Sequence, residues 1–146
     1  RGAHKAKRQI EKWIKRDHEG TTYVLKMDIK KYFDSVPHDT LIKMLERKIK
    51  DERFMEVLRT LIGVTESGIP LGFYTSQWFA NFYLTDLDHY IKEHLGAKYY
   101  TRYMDDMVVF DSDKAKLHEI RREVEKYLNE RLGLRLKENW QVFPLE

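Results

Sequence analysis

The chain of 146 residues contains no cysteine. Disulfide bonds and thiolate metal sites are therefore excluded, and any bound metal must use oxygen or nitrogen ligands, which favours hard cations such as Mg²⁺ or Mn²⁺. No apolar run approaches the roughly 20 residues that a membrane-spanning helix requires. No charged-then-apolar leader opens the sequence either. We therefore expect a cytoplasmic protein that makes no use of a membrane.

A large net charge is also lacking, since 27 Lys and Arg oppose 24 Asp and Glu to leave +3. Ordinary apolar content and abundant charges of both signs exclude a disordered or collagen-like chain, and the length suits a single domain. The charge is nevertheless uneven, because the first sixteen residues hold one acid, Glu11, among seven basic residues. Such a run is compatible with a solvated helix face or with a surface that contacts phosphate.

Hydrophobic periodicity and Gly or Pro breakers predict an α+β protein in which an antiparallel sheet carries helices packed on one face and leaves the other face open. A tight hairpin with Asp105-Asp106 between its strands is part of this prediction. The predicted helices cover residues 3–17, 39–50, 52–62, 75–94 and, capped by Ser112, about 113–132; the predicted strands cover 22–29, 98–104, 107–111 and an extended piece at 134–143.

The hairpin sequence Tyr103-Met104-Asp105-Asp106 is the strongest local signal of chemistry. Adjacent carboxylates repel each other and Asp is a poor strand residue, so the pair costs stability unless a cation offsets it. Asp-Asp is also ordinary turn chemistry. A third carboxylate, Asp28, ends the first predicted strand, where it could be a cap or could converge with the hairpin. Three converging carboxylates would suit two divalent ions and phosphoryl transfer.

Four segments in this order resemble the motifs of reverse transcriptases over nearly the whole chain. Tyr23 to His38 (YVLKMDIKKYFDSVPH) resembles the first catalytic motif, Gly68 to Leu84 the second, Tyr103 to Asp106 the YxDD box, and Leu132 to Phe143 the motif that follows. The resemblance implies a polymerase palm, with fingers before residue 1 and a thumb after residue 146. Residues 1–20 would be a basic helix at the junction of fingers and palm, and 21–146 the catalytic palm. We expect such an isolated palm to be inactive.

The resemblance also implies an RNA-directed DNA polymerase with two Mg²⁺ or Mn²⁺ ions. Asp28 and Asp105 would ligate both metals, Asp106 would support them, and the Ile29 carbonyl would contribute to one. An RNA template, a DNA or RNA primer and deoxynucleoside triphosphates are the implied partners in a bacterial cytoplasm, together with any accessory protein of the parent element. An RNA-binding, maturase-like module that keeps the polymerase fold is the alternative.

Nucleotide contacts are implied for the stretch after the first carboxylate and for the second motif: Lys30, Lys31, Tyr32, Phe33, Leu71, Gly72 and Gln77. The position of Phe33 is that of an aromatic gate, which excludes a ribose 2′-hydroxyl by its bulk. An RNA replicase is the rival within polymerases, but its hairpin would begin with Gly rather than with Tyr-Met.

The second motif has Leu71 and Gln77 where many bacterial reverse transcriptases have Gln and Pro, and this variant resembles the enzymes of diversity-generating retroelements. An aliphatic Leu71 cannot hydrogen-bond as Gln does, which would loosen the pocket for the nascent base pair. In the last motif, Lys137 is the nearest candidate for a general acid toward the leaving pyrophosphate. Within the basic helix, Lys5, Arg8 and Lys12 would contact nucleic-acid phosphates rather than bases.

Overall fold

Four strands form one antiparallel sheet in the computed structural model, which describes residues 2–69 and 74–145. The strands are β1 (Tyr23–Met27), β2 (Tyr99–Tyr103), β3 (Asp106–Asp111) and β4 (Gln141–Pro144). Their spatial order is β2-β3-β1-β4. The strand that comes first in the chain is therefore central, paired with β3 on one side and with β4 on the other.

Helices make up most of the remaining described chain. Two of them, α6 and α7, continue directly into π-helical turns at Tyr90–His94 and Leu128–Leu132. The helices are α1 (Gly2–Arg16), α2 (Tyr32–Ser35), α3 (His38–Lys48), α4 (Glu52–Ile62), α5 (Tyr74–Tyr83), α6 (Thr85–His89) and α7 (Lys114–Tyr127). None of the helices in the described ranges is long and apolar enough to cross a bilayer.

The main core lies on one face of the sheet, as predicted. Leu25 and Met27 alternate with outward residues of β1, and they are buried with Met107 and Val109 of the neighbouring β3. Helix α7 covers this face with a stripe of buried residues at helical spacing: Leu117, Ile120, Val124 and Tyr127. The predicted antiparallel sheet with its helical layer is confirmed.

Helix α1 lies on the opposite face, which the sequence pattern had left open. Its Trp13 packs against Tyr99 of β2 and Phe110 of β3, with ring centroids 5.4 and 6.3 Å away. These aromatic rings form a second, smaller cluster with Val24. The basic helix is thereby held against the β2 edge of the sheet, while the β1 and β4 end of this face bears polar residues such as Lys26.

The prediction of one continuous helix over residues 75–94 is wrong. Leu84 leaves helical geometry with φ −99° and ψ 3°, and α6 begins only after it. The Thr85 hydroxyl donates to the Phe82 carbonyl at 2.7 Å. This local bond competes with the regular helical ladder, which explains why the helix is interrupted here.

Two smaller differences concern elements near the predicted site. Helix α2 follows Lys31 directly and was not predicted, because four residues are too short for a periodic signal. The cap of α7 is Asp113 rather than Ser112, since the Asp113 carboxylate accepts from the backbone N–H groups of Ala115 and Lys116. A carboxylate at this position also favours the positive end of the helix dipole.

Candidate active site

The β2–β3 hairpin turns one residue earlier than its sequence suggested. Tyr103 pairs with Asp106, so Met104 and Asp105 form the tip and Asp106 is already the first residue of β3. Met104 adopts left-handed geometry with φ 55°. The two acidic residues therefore play different parts, because Asp105 lies in the turn and is half-buried whereas Asp106 is an exposed strand residue.

Asp28 follows β1 directly and stands beside the hairpin. Met27 pairs with Met107, and continuing this register by one residue places Asp28 opposite Asp106. Both carboxylates alternate with core-facing residues and therefore share the second face of the sheet. They line a small cavity of about 150 Å³ together with Lys26 and Met27 of β1, Gln141 of β4, and Asn139, which precedes β4.

The pKa of Asp105 responds to its burial and to the charges of the other predicted ligands. Partial burial raises the pKa of Asp105, and the negative charges of Asp106 and Asp28 raise it further. The backbone N–H groups of Asp105 and Ile29 act in the opposite direction. The ionised form of Asp105 is thus disfavoured first by partial burial and then by the two like-charged neighbours.

The donor chemistry of these residues fits hard divalent ions, because carboxylates and carbonyls are the ligands that Mg²⁺ prefers. A cation would also relieve the repulsion that raises the pKa of Asp105. Within residues 2–69 and 74–145, however, no three acidic or histidine side chains are gathered closely enough to hold a metal ion. The metal site therefore stays a prediction, which rests on the chemistry of the residues and on their mutual charge.

The backbone at Ile29 is directed toward the hairpin. Ile29 bridges Leu136, and this bridge uses the N–H of Lys30 with the carbonyl of Arg135 and the N–H of Lys137 with the carbonyl of Asp28, both at 2.9 Å. The N–H and C=O of Ile29 consequently point to the other side of the strand, where the hairpin lies. This orientation suits the predicted carbonyl ligand, and it places exposed Lys137 next to Asp28.

The residues after Ile29 differ in how far their side chains are exposed. Lys30 and Lys31 are exposed, and Lys31 has left-handed geometry with φ 45°. Tyr32 is only 4% exposed and donates a hydrogen bond from its hydroxyl to the Ala80 carbonyl. Its side chain is therefore occupied, and only its backbone would be available to bind a nucleotide. Phe33 is half-buried and borders open space.

That space is a groove of about 950 Å³, which we call the site groove, between α1, α5 and the β2 strand. Its walls include Phe33, Gln77 of α5 and Met104 of the hairpin tip. Lys5 lines it from α1, whereas Arg8 lines a separate cavity on the other side of that helix. Lys12 is exposed on the same helix and lines neither of these two cavities.

The second motif approaches the gate position through its backbone. The N–H of Ile69 donates to the carbonyl of Phe33 at 2.6 Å, and Gly68 takes a φ of 73° to make the approach. His38 Nε2 lies 2.6 Å from the Gly68 carbonyl. Leu71 and Gly72, predicted to border the base pair, lie outside the described residues.

Sequence reasoning missed a polar network behind the hairpin tip, centred on Arg102. The Arg102 side chain is 9% exposed and forms a bidentate pair with Asp88 of α6, with N–O distances of 2.9 and 2.8 Å. Burial lowers the pKa of Arg102, but the hydrogen bonds and charge of Asp88 raise it by more, so the guanidinium stays charged. The one signal of this network in the sequence was Asp88, an acidic residue within the mostly apolar segment predicted as a helix over residues 75–94.

Comparison with known proteins finds one family model that matches nearly the whole chain and several relatives that match part of it. The family model "Reverse transcriptase (RNA-dependent DNA polymerase)" matches residues 3–141. An uncharacterised 91 kDa protein in the cob intron of Schizosaccharomyces pombe is 39% identical over 63% of this chain and 12% of its own length. The group II intron-encoded protein LtrA of Lactococcus lactis is 33% identical over 55% of this chain and 15% of its own.

A retron reverse transcriptase, Ec73 of Escherichia coli, is 30% identical over 60% of this chain and 32% of its own length. The chain thus spans less than a third of the relatives it matches. Among solved structures, apo telomerase from Candida tropicalis superposes with a TM-score of 0.76 and 15% identity, covering 100% of this chain and 36% of that one. This likeness concerns the fold alone.

Proposed function

The chain belongs to the reverse transcriptase family, and from this premise we propose that it is the catalytic palm of an RNA-directed DNA polymerase that transfers deoxynucleotides to a primer. The observation that carries the proposal is the strand register, which sets Asp28 opposite Asp106 and next to the hairpin tip that holds Asp105. Partial burial and the charges of Asp106 and Asp28 also raise the pKa of Asp105. A carboxylate whose pKa is shifted by burial and by specific neighbouring charges is a candidate for a catalytic centre.

Asp28, Asp105 and the Ile29 carbonyl would hold two Mg²⁺ or Mn²⁺ ions, with Asp106 as a supporting ligand. Such ions activate the attacking hydroxyl and stabilise the leaving oxygen of a phosphoryl transfer. The three carboxylates would supply the negative charge that attracts the cations. The adjacent strands β1 and β3 would hold these carboxylates in position. Lys137, whose backbone N–H donates to the Asp28 carbonyl, would give a proton to the leaving pyrophosphate.

The site groove would receive the nucleotide and the end of the primer. Phe33 at its border favours a deoxyribose, since an added 2′-hydroxyl would meet the ring. Lys30, Lys31 and Gln77 are exposed and could contact the triphosphate or the base pair. Lys5 in the groove, with Arg8 and Lys12 beyond it, would contact phosphates of the template or primer.

The template class and the parent element follow from the relatives only by analogy. Intron-encoded and retron proteins are among those the chain resembles, which supports an RNA template for a retroelement enzyme. The relation to diversity-generating retroelements stays a prediction from Leu71 and Gln77.

Primer extension tests the proposal, carried out with the full-length protein that contains this chain. An RNA template with an annealed DNA primer, Mg²⁺ and deoxynucleotides should give metal-dependent extension. Asp105→Ala should reduce it by ~10⁴-fold or more, because a metal-assisted transfer loses a ligand. Arg121→Lys, which alters an ion pair on α7 with Glu125, is the matched control and should extend normally. Equal incorporation by wild type and Asp105→Ala would refute the assignment.

The alternative is an element-encoded, maturase-like module that binds RNA without polymerising. The observation that favours it is the exposed basic face of α1, which could bind RNA whether or not the carboxylates act. Tight RNA binding that Lys5→Glu weakens, combined with no extension under any divalent ion, would select this function over polymerisation.

A further inference from the structure

Every donor of the Arg102 guanidinium is used within the protein. Arginine has five N–H groups. Its Nε and Nη2 bind the two carboxylate oxygens of Asp88, and Nη2 also reaches the Asn81 carbonyl at 3.3 Å. Its Nη1 binds the Asn81 amide oxygen at 3.2 Å and the Met104 carbonyl at 2.5 Å. No N–H is left over to contact a substrate.

These contacts join three separate parts of the chain. Asn81 belongs to α5, Asp88 to α6 after the interruption of the helix, and Met104 to the hairpin tip. Tyr100 adds a further bond by donating its hydroxyl to Asp88. The guanidinium is thus held from behind by two helices while one of its N–H groups holds the turn.

The bond to Met104 fixes the peptide group that leads into Asp105. Met104 has φ 55°, a left-handed conformation that is unfavourable for a residue with a side chain. A turn under such strain keeps its shape only when surrounding contacts determine it. A short hydrogen bond from a buried, charged donor to the carbonyl of the strained residue is such a contact.

We propose that Arg102, fixed by Asp88 and Asn81, is a positioning residue that orients the Met104–Asp105 turn and thereby sets the place of the Asp105 carboxylate beside Asp28. The inference rests on the proposed polymerase function, in which Asp105 is a metal ligand. It deepens that function by adding two residues that lie outside the four motifs, Arg102 and Asp88: the α6 carboxylate orients the hairpin tip through the arginine. Asp88 acts on Asp105 without touching it.

The test compares Arg102→Lys, Asp88→Asn and their double variant with wild type in the full-length protein. Lysine keeps the positive charge but has three donors on one nitrogen, so it cannot hold Asp88 and Met104 together. Arg121→Lys is the control, because Arg121 is a similarly covered arginine, 16% exposed, paired with Glu125 on α7. Thermal melting and circular dichroism check that each variant folds.

Two readouts separate positioning from a merely structural role. In primer extension, kcat should fall by ~10–100-fold and the Mg²⁺ concentration for half-maximal rate should rise, as is usual when a residue that orients a metal ligand is lost. The KM for the nucleotide should stay near the wild-type value, since Arg102 has no donor for it. In hydrogen–deuterium exchange, the Asp105 and Asp106 amides should exchange faster in both single variants than in wild type. Exchange in the double variant should be only slightly faster than in the single variants, because both substitutions break the same network.

Unchanged kcat and metal dependence in Arg102→Lys would overturn the inference, as would a defect confined to nucleotide KM. If wild type extends no primer, the proposed function fails, and exchange at the turn then decides the inference by itself. Unchanged exchange in folded Asp88→Asn would refute it. If Arg102→Lys does not fold, Asp88→Asn, which leaves the guanidinium in place, supplies the same two readouts.

Discussion

Replacing Gly68 by alanine should damage the approach of the second motif to the gate position. The φ of Gly68 is +73°, and an added Cβ would lie 2.7 Å from both the carbonyl carbon and the Cα of Asp34, and closer still to the Phe33 carbonyl oxygen. All of these neighbours are backbone atoms, which cannot rotate away as a side chain can. The backbone at Gly68 and the backbone at Phe33 and Asp34 would have to move apart.

The expected cost combines backbone conformation with lost hydrogen bonds. An alanine in left-handed geometry costs ~1–2 kcal/mol. Separation also weakens two 2.6 Å hydrogen bonds, Ile69 N–H to the Phe33 carbonyl and His38 to the Gly68 carbonyl, worth ~1 kcal/mol each. Gly68→Ala should therefore lower the free energy of unfolding by ~3–4 kcal/mol, a large part of the 5–15 kcal/mol of a typical domain.

Urea unfolding followed by circular dichroism measures this cost, and Gly96→Ala is its matched control. Gly96 has a similar φ of +66° but no atom within 4 Å of an added Cβ, so its substitution should cost only the ~1–2 kcal/mol of the backbone term. The difference between the two variants isolates the close approach. Equal losses of stability would refute the reasoning, because they would mean that the Phe33–Asp34 backbone yields without cost.

Two further predictions concern the site itself. Phe33→Val should raise incorporation of ribonucleotides relative to deoxynucleotides by ~10-fold or more in primer extension, since removing a clash of this size is worth roughly 1–3 kcal/mol; an unchanged ratio would remove Phe33 from the gate. Asp105→Asn should raise the free energy of unfolding at pH 7 in metal-free buffer, since it removes a carboxylate whose ionised form is disfavoured by partial burial and by the charges of Asp106 and Asp28. The pKa of Asp105 is raised in the folded protein, so the wild-type penalty is present above the folded pKa and disappears below the unfolded one. The gain should therefore shrink as the pH falls toward 4, and a gain that does not depend on pH would contradict this cause.

The order of most elements and the hairpin that carries Asp105 and Asp106 could be predicted from the sequence. Strict alternation around Leu25 and Met27 predicted β1, and the Tyr- and Val-rich runs on both sides of Asp105 predicted the hairpin. Gly133 was predicted to end the last long helix, and its φ of 65° is consistent with such a stop. These signals are local, which is why one sequence suffices to detect them.

Features that depend on tertiary contacts could not be predicted. The hairpin tip lies one residue earlier than expected because Met104 accepts left-handed geometry, which Arg102 supports from the preceding strand. Periodicity could not detect the interruption at Leu84, since the apolar pattern continues through it. The face chosen by α1 depends on the fit of Trp13 against Tyr99, two residues far apart in the chain.

The strand order also determines when the site can exist during synthesis. β1 leaves the ribosome well before both of its neighbours, and Tyr23 pairs with Pro144 in the last of the four strands. Contacts of such sequence separation form slowly, because loop closure precedes any gain from pairing. Until β3 and β4 emerge, the central strand has two unpaired edges, a state that favours aggregation or chaperone binding. Asp28 therefore meets Asp105 only once most of this segment has been translated, so a nascent fragment would carry the first carboxylate without a usable site.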